Sequence, residues 1–100
     1  MKLRIAAQAR REMFRAAAYY DRIQSGLGDA FLDDIEIGFS KLRDFPLAWP
    51  RLSDTFRRTS LSRFPYAILY EVRADDVLVL AVGHLKRGPK FWMAAMRRQR

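Results

Sequence analysis

Four arginines and one histidine in the second half of the chain are the residues best suited to chemistry. Arg57, Arg58 and Arg63 precede one strongly predicted strand, and His84 and Arg87 follow the next. A guanidinium group binds a phosphate through two parallel hydrogen bonds, so this spacing predicts an anion-binding surface at the ends of a sheet. We therefore expect Arg57, Arg58, Arg63 and Arg87 to contact a phosphate-bearing target or an acidic partner.

Two of these residues also have a purely structural interpretation. His84 ends a strand before a turn, where its ring could simply hydrogen-bond the turn instead of transferring protons. Arg63 could pair with Asp54 or Glu71 across the sheet and take no part in binding. The sequence leaves both alternatives open.

The net charge of +8 belongs almost wholly to the second half of the chain. Residues 1–44 hold eight basic and seven acidic side chains, a net +1, whereas residues 45–100 hold eleven and four, a net +7. Such an asymmetry favours an anionic partner, either nucleic acid or an acidic protein. Because half of the 100 residues are apolar, we expect a single globular domain over residues 1–100.

The composition argues against cysteine-based sites, secretion and membrane insertion. The chain has no cysteine, which excludes disulfides, thiolate chemistry and cysteine zinc sites, and we expect no metal and no cofactor. The first residues are too few and too charged for a signal peptide, and no window approaches 18 apolar residues. We therefore expect a cytoplasmic protein that makes no contact with a membrane.

The first half of the chain predicts a strand followed by a helical hairpin. Residues 2–6 alternate charged and apolar side chains, and from about Gln8 apolar residues recur at helical spacing. Gly26 is expected to adopt the left-handed conformation that ends the first helix, and Asp29 to begin the second as its N-cap. The acidic residues Asp33, Asp34 and Glu36 then suit the helix dipole, so we expect them to form a solvated face.

The second half predicts three strands, at about residues 56–61, 66–73 and 77–84, with a hairpin turn at 74–76. The last strand is apolar on both faces from Val77 to Val82, which indicates a central strand covered on both sides. The predicted fold is α+β. After an N-terminal strand, a two-helix hairpin packs on one face of a small antiparallel sheet (β-α-α-β-β-β), and a short C-terminal helix covers part of the other face.

Several stretches, taken together with this element order, resemble a known family. They are Tyr19-Tyr20, residues 26–31 (GLGDAF), Pro46, Arg57-Arg58, residues 63–70 (RFPYAILY) and residues 80–92 (LAVGHLKRGPKFW). Over nearly its whole length the chain resembles the RelE/ParE toxin family of bacterial type II toxin–antitoxin modules. The resemblance implies a small toxin that a co-expressed antitoxin holds inactive by wrapping it with a C-terminal segment.

The resemblance also implies one of two targets, which are DNA gyrase for ParE-like members and messenger RNA on the ribosome for RelE-like members. RNA cleavage requires an activated 2′-hydroxyl, a positive charge at the phosphate and an acid for the leaving oxygen. In a ribonuclease the candidates here are Arg63, His84, Lys86 and Arg87. The nuclease members carry a tyrosine or histidine near the C-terminus, whereas this chain has Phe91 and Trp92 there. We therefore favour a gyrase inhibitor that is not an enzyme.

The cognate antitoxin is the second partner that the resemblance implies. An acidic segment that orders on binding would suit the basic half of the chain and an apolar sheet face left half-exposed. We expect the antitoxin to contact Ile68, Tyr70, Phe91 and Trp92 and to form a toxin–antitoxin hetero-oligomer. A third possibility is a degenerate toxin that binds its antitoxin and nothing else.

Overall fold

The computed structural model describes residues 1–98, which form four strands and three helices. Residues 99 and 100 of the predicted domain lie outside this range. The elements are β1 Lys2–Ile5, α1 Ala7–Ile23, α2 Leu27–Asp44, β2 Phe56–Ser60, β3 Tyr66–Val72, β4 Asp76–His84 and α3 Pro89–Arg97. This order confirms the predicted α+β arrangement with its C-terminal helix.

The sheet has the strand order β1-β4-β3-β2, so β4 lies between two neighbours, as its apolar sequence predicted. Strands β2, β3 and β4 are antiparallel to one another, whereas β1 pairs with β4 in parallel. The complete sheet is therefore mixed. A parallel pair needs a long crossover connection, and the helical hairpin that follows β1 supplies most of it by crossing one face of the sheet.

Each face of the sheet is covered by a different set of helices. Helices α1 and α2 pack on one face, where they bury Ile68 and Tyr70 of β3. Helix α3 packs on the other face, where Trp92 and Ala95 contact a second apolar cluster that includes Leu69. The two faces follow from the strand period of two, because consecutive residues of β3 point in opposite directions.

Strand β4 contains a bulge that changes which residues face which helices. The pairing of β3 with β4 shifts between Leu69 and Tyr70, so Leu80 has no partner in β3. A bulge of this kind places two consecutive side chains on one face, and Leu80 and Ala81 both pack on the α3 side. Val82 then returns to the face that α1 covers.

The turn between α1 and α2 follows the prediction at Gly26 and departs from it at Asp29. Gly26 has φ of +88° and is the N-cap of α2, which begins at Leu27. Asp29 therefore lies in the first turn of the helix, whose N-cap is three residues earlier than predicted, and the glycine replaces a side-chain cap. The backbone N–H of Gly28 donates to Oδ1 of Asp21 at 2.8 Å, which ties the two helices together.

Asp34 lies in the interior, although the acidic run of α2 was expected to face solvent. The residue is 1% exposed, whereas Asp33 and Glu36 are exposed as predicted. Its Oδ2 accepts hydrogen bonds from the backbone N–H groups of Arg63 (2.9 Å) and Phe64 (3.0 Å). These two N–H groups lie in the turn between β2 and β3, where no neighbouring strand offers them an acceptor. The carboxylate from α2 accepts their hydrogen bonds instead.

Replacing Asp34 tests whether its carboxylate holds this turn. The variant Asp34→Ala leaves two backbone N–H groups without an acceptor, so we expect the free energy of unfolding to fall by about 2–4 kcal/mol. The control Asp33→Ala, at the exposed neighbouring position, should change it by less than about 0.5 kcal/mol. Urea unfolding followed by tryptophan fluorescence measures both variants. Equal losses would contradict the role of Asp34.

Candidate functional site

A groove of about 360 Å³ lies on the α3 face of the sheet, between the β2 side and the start of α3. Helix α3 begins with Pro89 at its first position, directly after the turn that ends β4. The ring of Trp92 is buried beneath the groove, and its Nε1–H donates to the carbonyl oxygen of Arg87 at 3.2 Å. The groove is lined by Leu52, Arg58, Leu85, Arg87, Pro89, Trp92, Met93 and Met96.

Two of the four predicted anion-binding arginines line this groove. The Cζ atom of Arg58 lies 5.2 Å from the ring centroid of Trp92, and Cζ of Arg87 lies 4.7 Å from that of Phe91. An aromatic face attracts a guanidinium group without neutralising its charge. Within residues 1–98 neither side chain forms an ion pair with a carboxylate, so both charges remain available to an anion.

Arg57 was predicted to bind a target, but its side chain has a structural contact. Its Nη1 donates to the carbonyl oxygens of Trp49 (2.6 Å) and Leu47 (3.3 Å), in the loop between α2 and β2. The neighbouring Arg58 points to the opposite face because consecutive strand residues alternate. Arg57 therefore fixes the loop and does not line the groove.

Arg63 lies apart from the groove, on the exposed turn between β2 and β3. Its Cζ atom lies 5.9 Å from the ring centroid of Phe64, and its backbone N–H is bound by Asp34. The alternative ion pairs of Arg63 with Asp54 or Glu71 are not among the salt bridges of the described chain. The guanidinium group is thus exposed, but the fold does not bring it to Arg58 and Arg87.

His84 makes the structural contact that was one of its two predicted roles. Its Nδ1 accepts a hydrogen bond from the backbone N–H of Lys86 at 3.0 Å, within the turn after β4. The Lys86 side chain is exposed, and the His84 ring lies 5.3 Å from that of Tyr66 at an angle of 68°. Neither His84 nor Lys86 lines the groove. Of the four candidates for RNA cleavage, the groove contains Arg87.

The groove therefore has charge but lacks groups for proton transfer. Among the described residues, those that line it are apolar or arginine, and none carries a carboxylate, an imidazole or a phenol. Arginine stays protonated at every physiological pH, so it can stabilise an anion but cannot act as a general base near neutrality. The chemistry of the groove is recognition of an anionic or mixed apolar and acidic surface.

The predicted antitoxin contacts are only partly on the surface. Ile68 and Tyr70 are 0% exposed, because they face α1 and α2. The prediction for these two residues is wrong for the folded chain, since the strand pattern did not show which face the hairpin covers. Burial raises the pKa of the Tyr70 hydroxyl, which donates to the carbonyl oxygen of Pro46 at 3.0 Å. Trp92 is 4% exposed and Phe91 is half-buried, so of the two only Phe91 keeps appreciable exposed surface.

Three apolar residues that the sequence interpretation missed supply exposed surface in and around the groove. Leu52, Leu85 and Met93 are 42%, 47% and 48% exposed. Leu85 and Met93 could have been found from the sequence, because each lies beside the basic or aromatic residues that predicted the site. Leu52 could not, since the loop before β2 has no periodic pattern that would place it.

The described chain offers neither a metal site nor a membrane-spanning helix. Within residues 1–98 no three histidine, aspartate or glutamate side chains are grouped closely enough to hold a metal ion. None of the helices in this range is both long enough and apolar enough to cross a bilayer.

Residues 3–89 match the family model described as the ParE toxin of the type II toxin–antitoxin system parDE. No curated protein matches the sequence significantly.

The solved structures that share the fold include the following two. One is from the chromosomal ParDE toxin–antitoxin system of P. aeruginosa, with 18% identity, a TM-score of 0.70, and coverage of 84% of this chain and 95% of that one. The other is the isolated RelE toxin of E. coli, with 18% identity, a TM-score of 0.62, and coverage of 97% of each chain. At this level of identity the similarity shows the fold alone.

Gly83 tests how closely α3 packs on β4 below the groove. A Cβ atom at Gly83 would lie 2.5 Å from Cε2 of Phe91 and 3.1 Å from the ring of Trp92. Gly83→Ala should therefore displace α3 and lower the free energy of unfolding by about 1–3 kcal/mol. Gly88→Ala is the matched control, because a Cβ there meets nothing within 4 Å. If urea unfolding gave the two variants the same stability, the packing of α3 would be contradicted.

Proposed function

The chain belongs to the ParE toxin family of type II toxin–antitoxin modules, and from this premise we propose that it binds DNA gyrase and traps the enzyme on cleaved DNA. Inhibition of this kind requires a recognition surface and no chemistry by the toxin itself. The observation that carries the proposal is the groove, which presents Arg58 and Arg87 over aromatic rings but holds no proton-transfer group among the described residues.

A second candidate function is cleavage of messenger RNA on the ribosome. It is favoured by the position of His84, which lies beside Tyr66 and, together with Arg87, borders a separate cavity. Against it, Arg63 lies outside that cavity, and Phe91 and Trp92 occupy the C-terminal positions where nuclease members carry a group that stacks or donates a proton. We therefore rank gyrase inhibition first.

The cognate antitoxin is proposed to cover the same groove. Leu52, Leu85 and Met93 offer apolar surface, and Arg58 and Arg87 offer two charges, so the groove suits an amphipathic segment with acidic side chains. Ordering such a segment on binding costs conformational entropy, and the apolar area that becomes buried offsets this cost. Competition between antitoxin and target for one surface would explain neutralisation.

The decisive experiment combines a gyrase assay with a ribosome assay on the same purified protein. With gyrase and supercoiled plasmid, we expect cleavage complexes to accumulate at micromolar protein, and with programmed ribosomes we expect the message to stay intact. The double variant Arg58→Gln/Arg87→Gln should require at least about tenfold more protein for the same effect, because two charged contacts are lost.

The double variant Arg10→Gln/Arg11→Gln is the control, since it removes the same charge from exposed positions on α1. An equal loss in this control would mean that only overall charge matters, which would contradict a role for the groove. Cut messages with unaffected gyrase would establish the ribonuclease alternative. No effect in either assay, together with normal growth during expression without antitoxin, would identify a degenerate toxin.

A further inference from the structure

A second cavity, of about 310 Å³, lies along the edge of β4 that faces away from β3, and we call it the edge cavity. Strand β1 ends at Ile5, and the last bond on this edge runs from the N–H of Ala6 to the carbonyl oxygen of Val79 at 2.9 Å. Strand β4 continues to His84, so within the described chain its outer edge lacks a neighbouring strand from Leu80 onward. The edge cavity fills the space between this part of β4 and helix α1.

Glu12 of α1 closes the base of the edge cavity. Its Oε1 accepts a hydrogen bond from the backbone N–H of Val82 at 3.0 Å, a donor that a strand neighbour would otherwise bind. Its Oε2 accepts from Nε2 of Gln8 at 3.4 Å. The carboxylate is thus engaged by neutral donors and is not paired with an arginine of the described chain.

Besides Glu12 and Gln8, the polar residues of the edge cavity carry groups that can donate hydrogen bonds. Arg15 and Arg87 border it and form no ion pair within residues 1–98. Since Nδ1 of His84 accepts from the backbone N–H of Lys86, the one donor of the neutral ring is Nε2–H. Burial raises the pKa of the Tyr66 hydroxyl, so this group stays protonated at neutral pH.

The volume of the edge cavity and the aromatic residues that line it limit which ligands can bind there. The volume is at the small end of known ligand sites, which span about 300–1,000 Å³, and it excludes a folded partner or a duplex. Tyr19 and Tyr66 line the cavity with aromatic rings, and bases of nucleotides stack on such rings. Arg15 of α1 and Arg87 of the β4–α3 turn both border the cavity, and a guanidinium group binds phosphate through two parallel hydrogen bonds.

We propose that the edge cavity binds the terminal phosphate of a nucleotide between Arg15 and Arg87, with the base against Tyr19 and Tyr66. The site is distinct from the groove, although Arg87 borders both. The proposal does not depend on gyrase as the target. The phosphate monoester has two possible sources, a free mononucleotide or the 5′ end of an RNA strand.

Isothermal titration calorimetry of the full chain with adenosine 5′-monophosphate tests whether the edge cavity binds a nucleotide. We expect a dissociation constant on the order of 10⁻⁴ M, with inorganic phosphate binding at least about tenfold more weakly because it lacks the base. Arg15→Gln should weaken binding of the mononucleotide by at least about tenfold. Arg58→Gln, which changes the groove alone, should leave it within about twofold of the wild-type value.

A parallel titration with an RNA trinucleotide, with and without a 5′-phosphate, distinguishes the two sources. Tighter binding of the phosphorylated trinucleotide than of the mononucleotide would assign the site to an RNA end, and the reverse order would assign it to a free nucleotide. Amide shifts confined to residues 80–84 and the facing part of α1 locate the ligand. The proposal is wrong if Arg15→Gln binds the mononucleotide like the wild type, or if inorganic phosphate binds as tightly.

Discussion

A buried carboxylate holds together the helical hairpin, the turn between β2 and β3 and the end of β4. Asp34 of α2 accepts the N–H groups of Arg63 and Phe64, and so fixes the turn between β2 and β3 against the helical hairpin. The same turn accepts a hydrogen bond from Leu85 through the carbonyl oxygen of Pro65 at 2.8 Å. One acidic side chain thus connects α2, through the turn, to the end of β4, from which both the groove and the edge cavity are built.

An aromatic cluster strengthens this connection. Phe64 contacts Tyr20 at 4.8 Å and Phe31 at 5.4 Å between ring centroids, so the turn is bound by packing as well as by hydrogen bonds. Tyr66 continues the cluster, at 5.0 Å from Phe31, and in turn contacts His84 at 5.3 Å. The C-terminal end of β4 therefore depends on contacts made by both helices, and Arg87 borders both the groove and the edge cavity.

The sequence predicted the element order, the left-handed Gly26 and the doubly covered central strand, because these follow from local pattern, and its resemblance to a known family predicted the family. It did not predict Asp34, since one buried carboxylate among exposed ones has the same spacing as a solvated face. Nor could it assign Ile68 and Tyr70 to a face, because strand alternation defines two sets of residues but not which set the helices cover. Arg57 and Arg58 were equivalent in sequence and differ only through the sheet geometry that turns one to the loop and the other to the groove.

The proposed role of the groove in toxicity can be tested in living bacteria. The most direct measurement is a substitution scan of all exposed positions in residues 1–98, scored by growth of bacteria that express each variant without an antitoxin. We expect that substitutions which relieve growth arrest at an unchanged protein level cluster around Arg58, Leu85 and Arg87. Relief that clustered instead on the outer faces of α1 and α2, for example at Arg10 or Arg22, would contradict it.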